Sequence, residues 1–238
     1  ARSDDGSTMV RTLPATPREH LFSHGGALIE DACTTPVAAN VDRPGPSAQS
    51  ARRSRVVSAA AQEAAVHGYQ GLNMRNVAEA AGVSTATIYR YFPSKPHLVV
   101  AVLGQWLEDF DTAHTAELFV VASPHKRLQQ LMRTLFAELY RQPLFADAVA
   151  LAYALADESA AGEVESVRLH VSEIFAEALG HEDFTPDDVA VGALLCDVWL
   201  AGMVAMSQRR ITAADFQRRL NTAFRLVTAR TGSRMLGR

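Results

Sequence analysis

Six side chains between positions 85 and 95 have the types and spacing of a surface that reads a nucleic acid. Thr85, Thr87 and Arg90 carry hydroxyls and a forked guanidinium at helical spacing, groups able to hydrogen-bond base edges. Tyr89, Tyr91 and Lys95 add phenol and ammonium donors suited to phosphate oxygens. Arg52, Asn73 and Ser84 extend the candidate contact set upstream. Other chemistries find no footing. A glycine-rich phosphate loop must follow a strand, and no strand pattern is present. The 8 histidines are scattered without His-x-x-x-His spacing, and Cys33 and Cys196 form no Cys-x-x-Cys. Asp157-Glu158 and Glu163-x-Glu165 read as a solvated turn between helices rather than as acid–base catalysts. The expectation is a protein that is not an enzyme, with no cofactor and no metal.

Local signals then define the elements that must hold those side chains. Asn73 can cap a helix by accepting from a backbone N–H two or three residues on. Val77, Ala78 and Ala81 give that helix an apolar face. Gly82 stands where it must stop, in a turn that calls for left-handed backbone. Ser84 caps the next helix, which runs to about Tyr91. Helix, tight glycine turn and short second helix form a helix-turn-helix, whose second helix presents the reading face. Upstream, Arg52, Arg53 and Arg55 open a long helix through His67, stopped by Gly68, with Val56, Ala59, Ala60, Ala64 and Val66 inward. Downstream, Phe92-Pro93-Ser94-Lys95 ends the reading helix and begins another.

The net charge of −3 conceals an uneven distribution. Positions 43–97 hold seven Arg or Lys against two Glu, a local balance of +5, while both flanks are acidic. Phosphate attraction is local, so the local balance is the relevant one. Positions 1–48 contain Pro14, Pro17, Pro36, Pro44 and Pro46 among many Ser, Thr and Gly, and read as a disordered tail. No uninterrupted apolar run approaches 18 residues, so no membrane partner is expected. The N-terminus lacks a basic segment followed by an apolar core, and two isolated cysteines fit a reducing cytoplasm.

Beyond Ser94 only helices are indicated. They run from about Ser94 to Ala116, from Pro124 (after Ser123 as cap) to Gln142, from Leu144 to Ala156 and from Glu163 to Leu179. Thr185-Pro186 opens another to about Arg209, and Ile211–Phe216 opens the last, to about Ala229. The fold class is all-α: an N-terminal three-helix helix-turn-helix domain over 49–93, then a helical bundle of about six helices over 94–238. Trp106, Phe110, Met132, Phe136, Tyr140, Phe145, Tyr153 and Trp199, from several helices, are candidate walls of a small-molecule pocket. The alternative is that they fill the core. Gly192, Ala193, Ala201, Gly202 and Ala205 are small enough to let the last two helices approach a second copy closely.

Ala81-Gly82-Val83-Ser84, Ile88-Tyr89, Tyr91-Phe92, Ser94-Lys95 and Leu98 together resemble the TetR family of bacterial transcriptional regulators. Asn73 replaces a usual Thr and Ala86 a common Gly. The resemblance implies a homodimer that binds palindromic double-stranded operator DNA as a repressor and is released by a hydrophobic small molecule. His97-Leu98-Val99, Arg141-Gln142-Pro143-Leu144, Ala156-Asp157 and Asp197-Val198-Trp199-Leu200 resemble the actinobacterial members of that family that repress cholesterol catabolism. That narrower resemblance implies a steroid acyl-CoA inducer. Regulators of fatty acyl-CoA metabolism or drug efflux remain alternatives within the family. A helical protein-interaction module without DNA binding is the alternative from another class.

Overall fold

The computed structural model describes residues 46–121, 123–180 and 186–235, all within the compact unit Pro44–Arg238. The expectations for the tail up to 45, for Cys33 and for the Phe184–Thr185 opening lie outside the described residues. Nine α-helices and a single 3₁₀ turn make up the described chain, without a strand. In order they are α1 (Pro46–Gly71), α2 (Met74–Ala81), α3 (Thr85–Tyr91), α4 (Lys95–Phe119), α5 (Pro124–Tyr140) and α6 (Pro143–Leu155). The 3₁₀ turn Glu158–Ala160 leads to α7 (Ala161–Gly180), α8 (Pro186–Ser207) and α9 (Ala213–Met235).

Caps terminate the helices where the sequence indicates. Asn73 accepts from the Arg75 N–H at 2.9 Å, and Ser84 Oγ accepts from the Thr87 N–H at 3.1 Å. Ser94 and Ser123 accept from the backbone of His97 and Lys126, opening α4 and α5. Thr212 and Asp215 cap each other reciprocally at the start of α9. Gly82 ends α2 at φ 65° and ψ 40°, and Gly68 interrupts α1 at φ 63°. Both are left-handed positions that glycine occupies without a Cβ clash. Gly68 is non-helical, with ψ −176°, so the long helix stops there as expected, and a further turn to Gly71 follows across a kink. Its start at Pro46 lies inside the stretch read as tail.

One core runs through head and bundle. Val56, Ala60, Val77, Ile88, Phe92 and Leu98 are fully buried in the same cluster as Leu103, Leu135, Phe175 and Trp199. The α1 helix packs on α2, α4 and α6, so the head shares a face with the bundle. Val66, read as inward, is 64% exposed. The buried stripe runs Val56, Ala60 and Ala64 at intervals of four, and Val66, two residues past Ala64, falls on the opposite face.

The α8 helix bears on the membrane reading, with Asp197 interrupting its apolar residues. It is long and apolar enough to cross a bilayer by length and composition, the one such helix among the described residues. Here it packs on α6, α7 and α9, with Leu195, Trp199 and Met203 buried. Its glycines are used inside the chain. A Cβ on Gly192 would lie 2.3 Å from the Ser172 carbonyl of α7, and one on Gly202 would lie 2.1 Å from the Phe216 ring of α9. These two small residues therefore set the spacing of α7, α8 and α9 within one protomer, where the sequence suggested a role against a second copy.

Candidate functional site

The α3 helix is held by one side and presents the other. Ile88 is fully buried, and Phe92, just past the last residue, is fully buried too. The opposite face is open: Ala86, Tyr89 and Arg90 are exposed, and Thr85, Thr87 and Tyr91 are partly so. Tyr89 is 47% exposed, which is unusual for an aromatic side chain that has a core beside it. Thr87 Oγ1 lies 2.9 Å from Ser84 Oγ, so two of the candidate hydroxyls already hold each other at the helix start. The Arg90 guanidinium sits 5.4 Å over the Tyr91 ring. That stack braces the guanidinium on the open face.

The other proposed contacts have mixed surroundings. Asn73 is exposed, with its carbonyl oxygen occupied by the α2 cap. Arg52 is partly exposed on α1. The Lys95 ammonium lies 4.7 Å over the Tyr69 ring and donates to the Gln70 carbonyl at 3.5 Å. Burial lowers the Lys95 pKa. Arg55, which had no part in the site reading, donates to the Ala81 carbonyl at 3.3 Å and ties α1 to the end of α2. Arg75 and Asn76 are exposed in the first turn of α2.

Glu163 corrects the reading of a solvated acidic turn. Its carboxylate accepts from Arg53 Nη2 at 3.1 Å and lies 2.7 Å from His97 Nε2. Three elements meet there: α1, the start of α4 and the first turn of α7. Sequence spacing carried no sign of it, because Arg53 and Glu163 are 110 residues apart. The Asp157 half of that reading is also structural, since Asp157 caps the 3₁₀ turn by accepting from the Ser159 N–H and hydroxyl.

The eight candidate ligand residues do not gather around one cavity. Trp106 stacks on Phe110 at 5.6 Å and approaches Phe145 at 6.4 Å. Trp106 and Phe145 border an open cleft of about 330 Å³ between α1, α4, α5 and α6, whose rim carries Asp109 and Glu138. Phe136 contacts Tyr140 at 4.7 Å and Phe216 at 5.7 Å in a separate layer. Burial and the nearby Asp147 carboxylate push the Tyr140 hydroxyl up. Met132 and Trp199 are buried core. Tyr153 borders a second open cleft, about 400 Å³, with Arg168, Asp197, Leu200, Val204 and Arg210. Arg168 pairs with Asp197 at 2.7 Å, which raises the arginine pKa further. The rings pack mainly on one another, so the aromatic inventory divides into separate groups.

Cys196 is buried, and burial pushes its thiol up to about 11. Thiolate is scarce at that pKa, so the group acts as a small apolar filler. Among the described residues no group of three or more His, Cys, Asp or Glu is placed to hold a metal.

Residues 56–102 match the bacterial regulatory proteins of the tetR family, and residues 122–227 match the tetracyclin repressor-like C-terminal domain. The chain is 38% identical over 183 residues to the HTH-type transcriptional repressor KstR of Mycolicibacterium smegmatis, covering 77% of this chain and 90% of that protein. The chain belongs to the TetR family. A TetR transcriptional regulator from Rhodococcus sp. RHA1 superposes at a TM-score of 0.67 with 26% identity, covering 76% of this chain and 97% of that one. The fold also matches Thermus thermophilus FadR, a TetR-family repressor solved with lauroyl-CoA, at a TM-score of 0.58 and 21% identity, covering 74% and 93% of the two chains. The first family match spans α1 to the start of α4, which contains the whole open face of α3.

Proposed function

We propose that this TetR-family chain is a transcriptional repressor that binds a palindromic operator as a homodimer and leaves it when a hydrophobic small molecule binds the bundle. The observation that carries the reading is α3 itself: a short helix anchored by Ile88 and Phe92, open along Ala86, Tyr89 and Arg90, within the one strongly basic segment. A dimer would set two copies of α3 in successive major grooves, with half-sites about 34–36 Å apart or slightly more. Thr85, Thr87 and Arg90 read bases; Arg52, Asn73, Ser84, Tyr89, Tyr91 and Lys95 position the phosphates. The protein acts in the cytoplasm, where its operator is.

The two protomers join through α8 and α9. Leu194 is 59% exposed and Leu226 66% exposed, with Ala201 open on the same helix as Leu194. Exposed leucines on long helices are the apolar area that a second copy can cover.

The inducer has an apolar body and an anionic end, as a steroid acyl-CoA has. The cleft beside Tyr153 supports this, because Leu200 and Val204 supply apolar wall while Arg168 and Arg210 supply guanidinium groups. The similarity to KstR favours the steroid form. A fatty acyl-CoA is the second candidate, since FadR was solved with lauroyl-CoA. A cationic drug would favour the other cleft, where Asp109 and Glu138 stand near Trp106 and Phe145. In each case the ligand must prefer the arrangement that cannot hold DNA.

Fluorescence anisotropy with palindromic and random duplexes across a salt series tests the DNA half. Preference for palindromic DNA that survives rising salt supports the reading, and equal binding to both duplexes overturns it. Adding a steroid acyl-CoA, stearoyl-CoA or a lipophilic cation to the complex then tells the inducer classes apart.

A further inference from the structure

We infer that Glu163 is the residue through which the bundle governs the reading helix. The inference rests on the ligand-released repressor proposed above and names how its two ends communicate.

Glu163 belongs to the bundle, in the first turn of α7. Both of its carboxylate oxygens are engaged by residues nearer the DNA end. One accepts from Arg53 of α1 at 3.1 Å, and the other lies 2.7 Å from His97 Nε2 at the start of α4. With Glu163 ionised, the Arg53 bond is charge-assisted, while His97 Nε2 sits close to the carboxylate without the geometry of a hydrogen bond. His97 is 7% exposed, so its contact is largely out of water.

Arg53 and His97 in turn grip the same ring. The Arg53 guanidinium lies 5.1 Å over the Phe92 ring. The His97 ring meets Phe92 edge-on at 5.5 Å, with an interplanar angle of 85°. Phe92 closes α3, and its N–H donates to the Ile88 carbonyl at 2.8 Å. The C-terminal end of the reading helix therefore sits between two side chains that one carboxylate holds. Ser94 and Ser159 add a weaker link across the same junction, their hydroxyls 3.5 Å apart. The Ser159 hydroxyl and N–H lower the Asp157 pKa, with a smaller contribution from nearby His97.

The same helix reaches the ligand side. Arg168 lines the cleft beside Tyr153 and lies on α7, as Glu163 does. They lie five positions apart, a rise of about 7.5 Å along a helix. A ligand that draws on Arg168 displaces α7, and α7 carries Glu163 with it. Packed helices shift as units, so a small displacement at one end appears at the other. Glu163 is thus a positioning residue: it contacts neither DNA nor ligand, and it transmits between them.

The test uses the full-length dimer and the Glu163→Gln substitution, which keeps side-chain volume and removes the charge. DNA affinity is read by anisotropy, ligand affinity by calorimetry, and backbone protection by hydrogen exchange with and without palindromic DNA. In the unsubstituted protein, DNA slows exchange in α3 and in the first turns of α7. In Glu163→Gln, DNA affinity stays within about threefold and α3 is still protected, but α7 no longer responds. The thioester that releases the unsubstituted protein, steroid acyl-CoA or stearoyl-CoA, binds Glu163→Gln equally well. Release then needs on the order of tenfold more of it, within the usual range of coupling energies. His97→Leu, which removes the ring nitrogen beside the carboxylate, loses the response. Unchanged α7 response and release in Glu163→Gln overturn the inference. So does joint loss of thermal midpoint and α3 protection, which marks a merely structural residue. If neither thioester releases the unsubstituted protein, the acyl-CoA reading fails, and the α7 exchange response alone decides the role of Glu163.

Discussion

Arg90 and Lys95 lie on either side of the end of α3, and their surroundings separate their roles. Arg90 is exposed on the open face, braced by the Tyr91 ring. A guanidinium so placed can make the paired contact to a guanine edge. Arg90→Ala should weaken palindromic binding by about 1–3 kcal/mol and random DNA much less, measured by competition anisotropy. Lys95 is pinned against Tyr69 and Gln70 near the surface. Lys95→Ala should weaken both kinds of DNA alike and lower the salt slope by about one. Equal losses on all DNA from both substitutions would remove the base-reading role of Arg90.

Arg127 is a different kind of residue. It is only 2% exposed, and burial lowers its pKa. Its Nε donates to the Ala178 carbonyl at 2.7 Å and its Nη1 to the Val121 carbonyl at 3.1 Å. It therefore ties the entry of α5 to the end of α7. Arg127→Ala leaves those carbonyls without this donor, and a charge-assisted bond contributes roughly 1.5–3 kcal/mol. Urea unfolding should show a loss of about 2–4 kcal/mol. DNA preference should be unaltered once the folded fraction is accounted for, because the carbonyls that Arg127 holds belong to the bundle.

At the scale of elements, two glycines make opposite demands. Gly82 closes α2 at φ 65°, and a Cβ there would meet nothing within 4 Å. Gly82→Ala is therefore a matter of backbone strain alone, about 1–2 kcal/mol. It should also misalign α3 and so reduce DNA affinity beyond its effect on stability. Gly202 has ordinary helical backbone but no space: a Cβ would lie 2.1 Å from one Phe216 ring atom and 2.3 Å from another. Gly202→Ala should cost about 1–3 kcal/mol by pushing α9 from α8. Phe216→Leu in the same chain should recover part of that loss, because the ring is what fills the space. Thermal unfolding of the two single variants and the double variant checks this, and additive losses would count against it.

At the scale of the whole molecule, the proposed dimer makes a sharp demand on a small surface. Trp199 and Met203 of α8 and Phe216, Leu220 and Phe224 of α9 are large and apolar, yet all are buried within the chain. What stays open is Leu194, Leu226 and Ala201. Leu194→Glu places a carboxylate where the second copy should pack. Native mass spectrometry should then show a monomer at concentrations where the unsubstituted chain is dimeric. Operator affinity should fall steeply, because two half-sites no longer bind as a unit. A dimer that survives both Leu194→Glu and Leu226→Glu would mean that other surfaces join the protomers.

The sequence by itself determined whatever depends on neighbours along the chain. Ser84, Ser94 and Ser123 cap helices three residues ahead, and Gly82 turns the chain because its own φ is left-handed. Such contacts lie within one helical turn, so residue types and spacing suffice to state them. Ile88 and Phe92 as anchors, with Tyr89 and Arg90 outward, follow from the period of 3.6 residues. The family membership follows from the same stretch.

Tertiary structure alone decided the contacts between distant elements. Glu163 looked solvated because its partners, Arg53 and His97, reach it only once α1, α4 and α7 cross. The aromatic residues looked like one pocket because composition does not say which rings face each other. Packing sent Trp106 and Phe145 to one cleft, Tyr153 to another and Trp199 into the core. Gly192 and Gly202 looked like a dimer seam until the helix spacing showed what would meet a Cβ at each. Local hydrogen bonds are fixed by covalent proximity, whereas helix–helix contacts depend on how whole faces interlock, and that is a property of the assembled core.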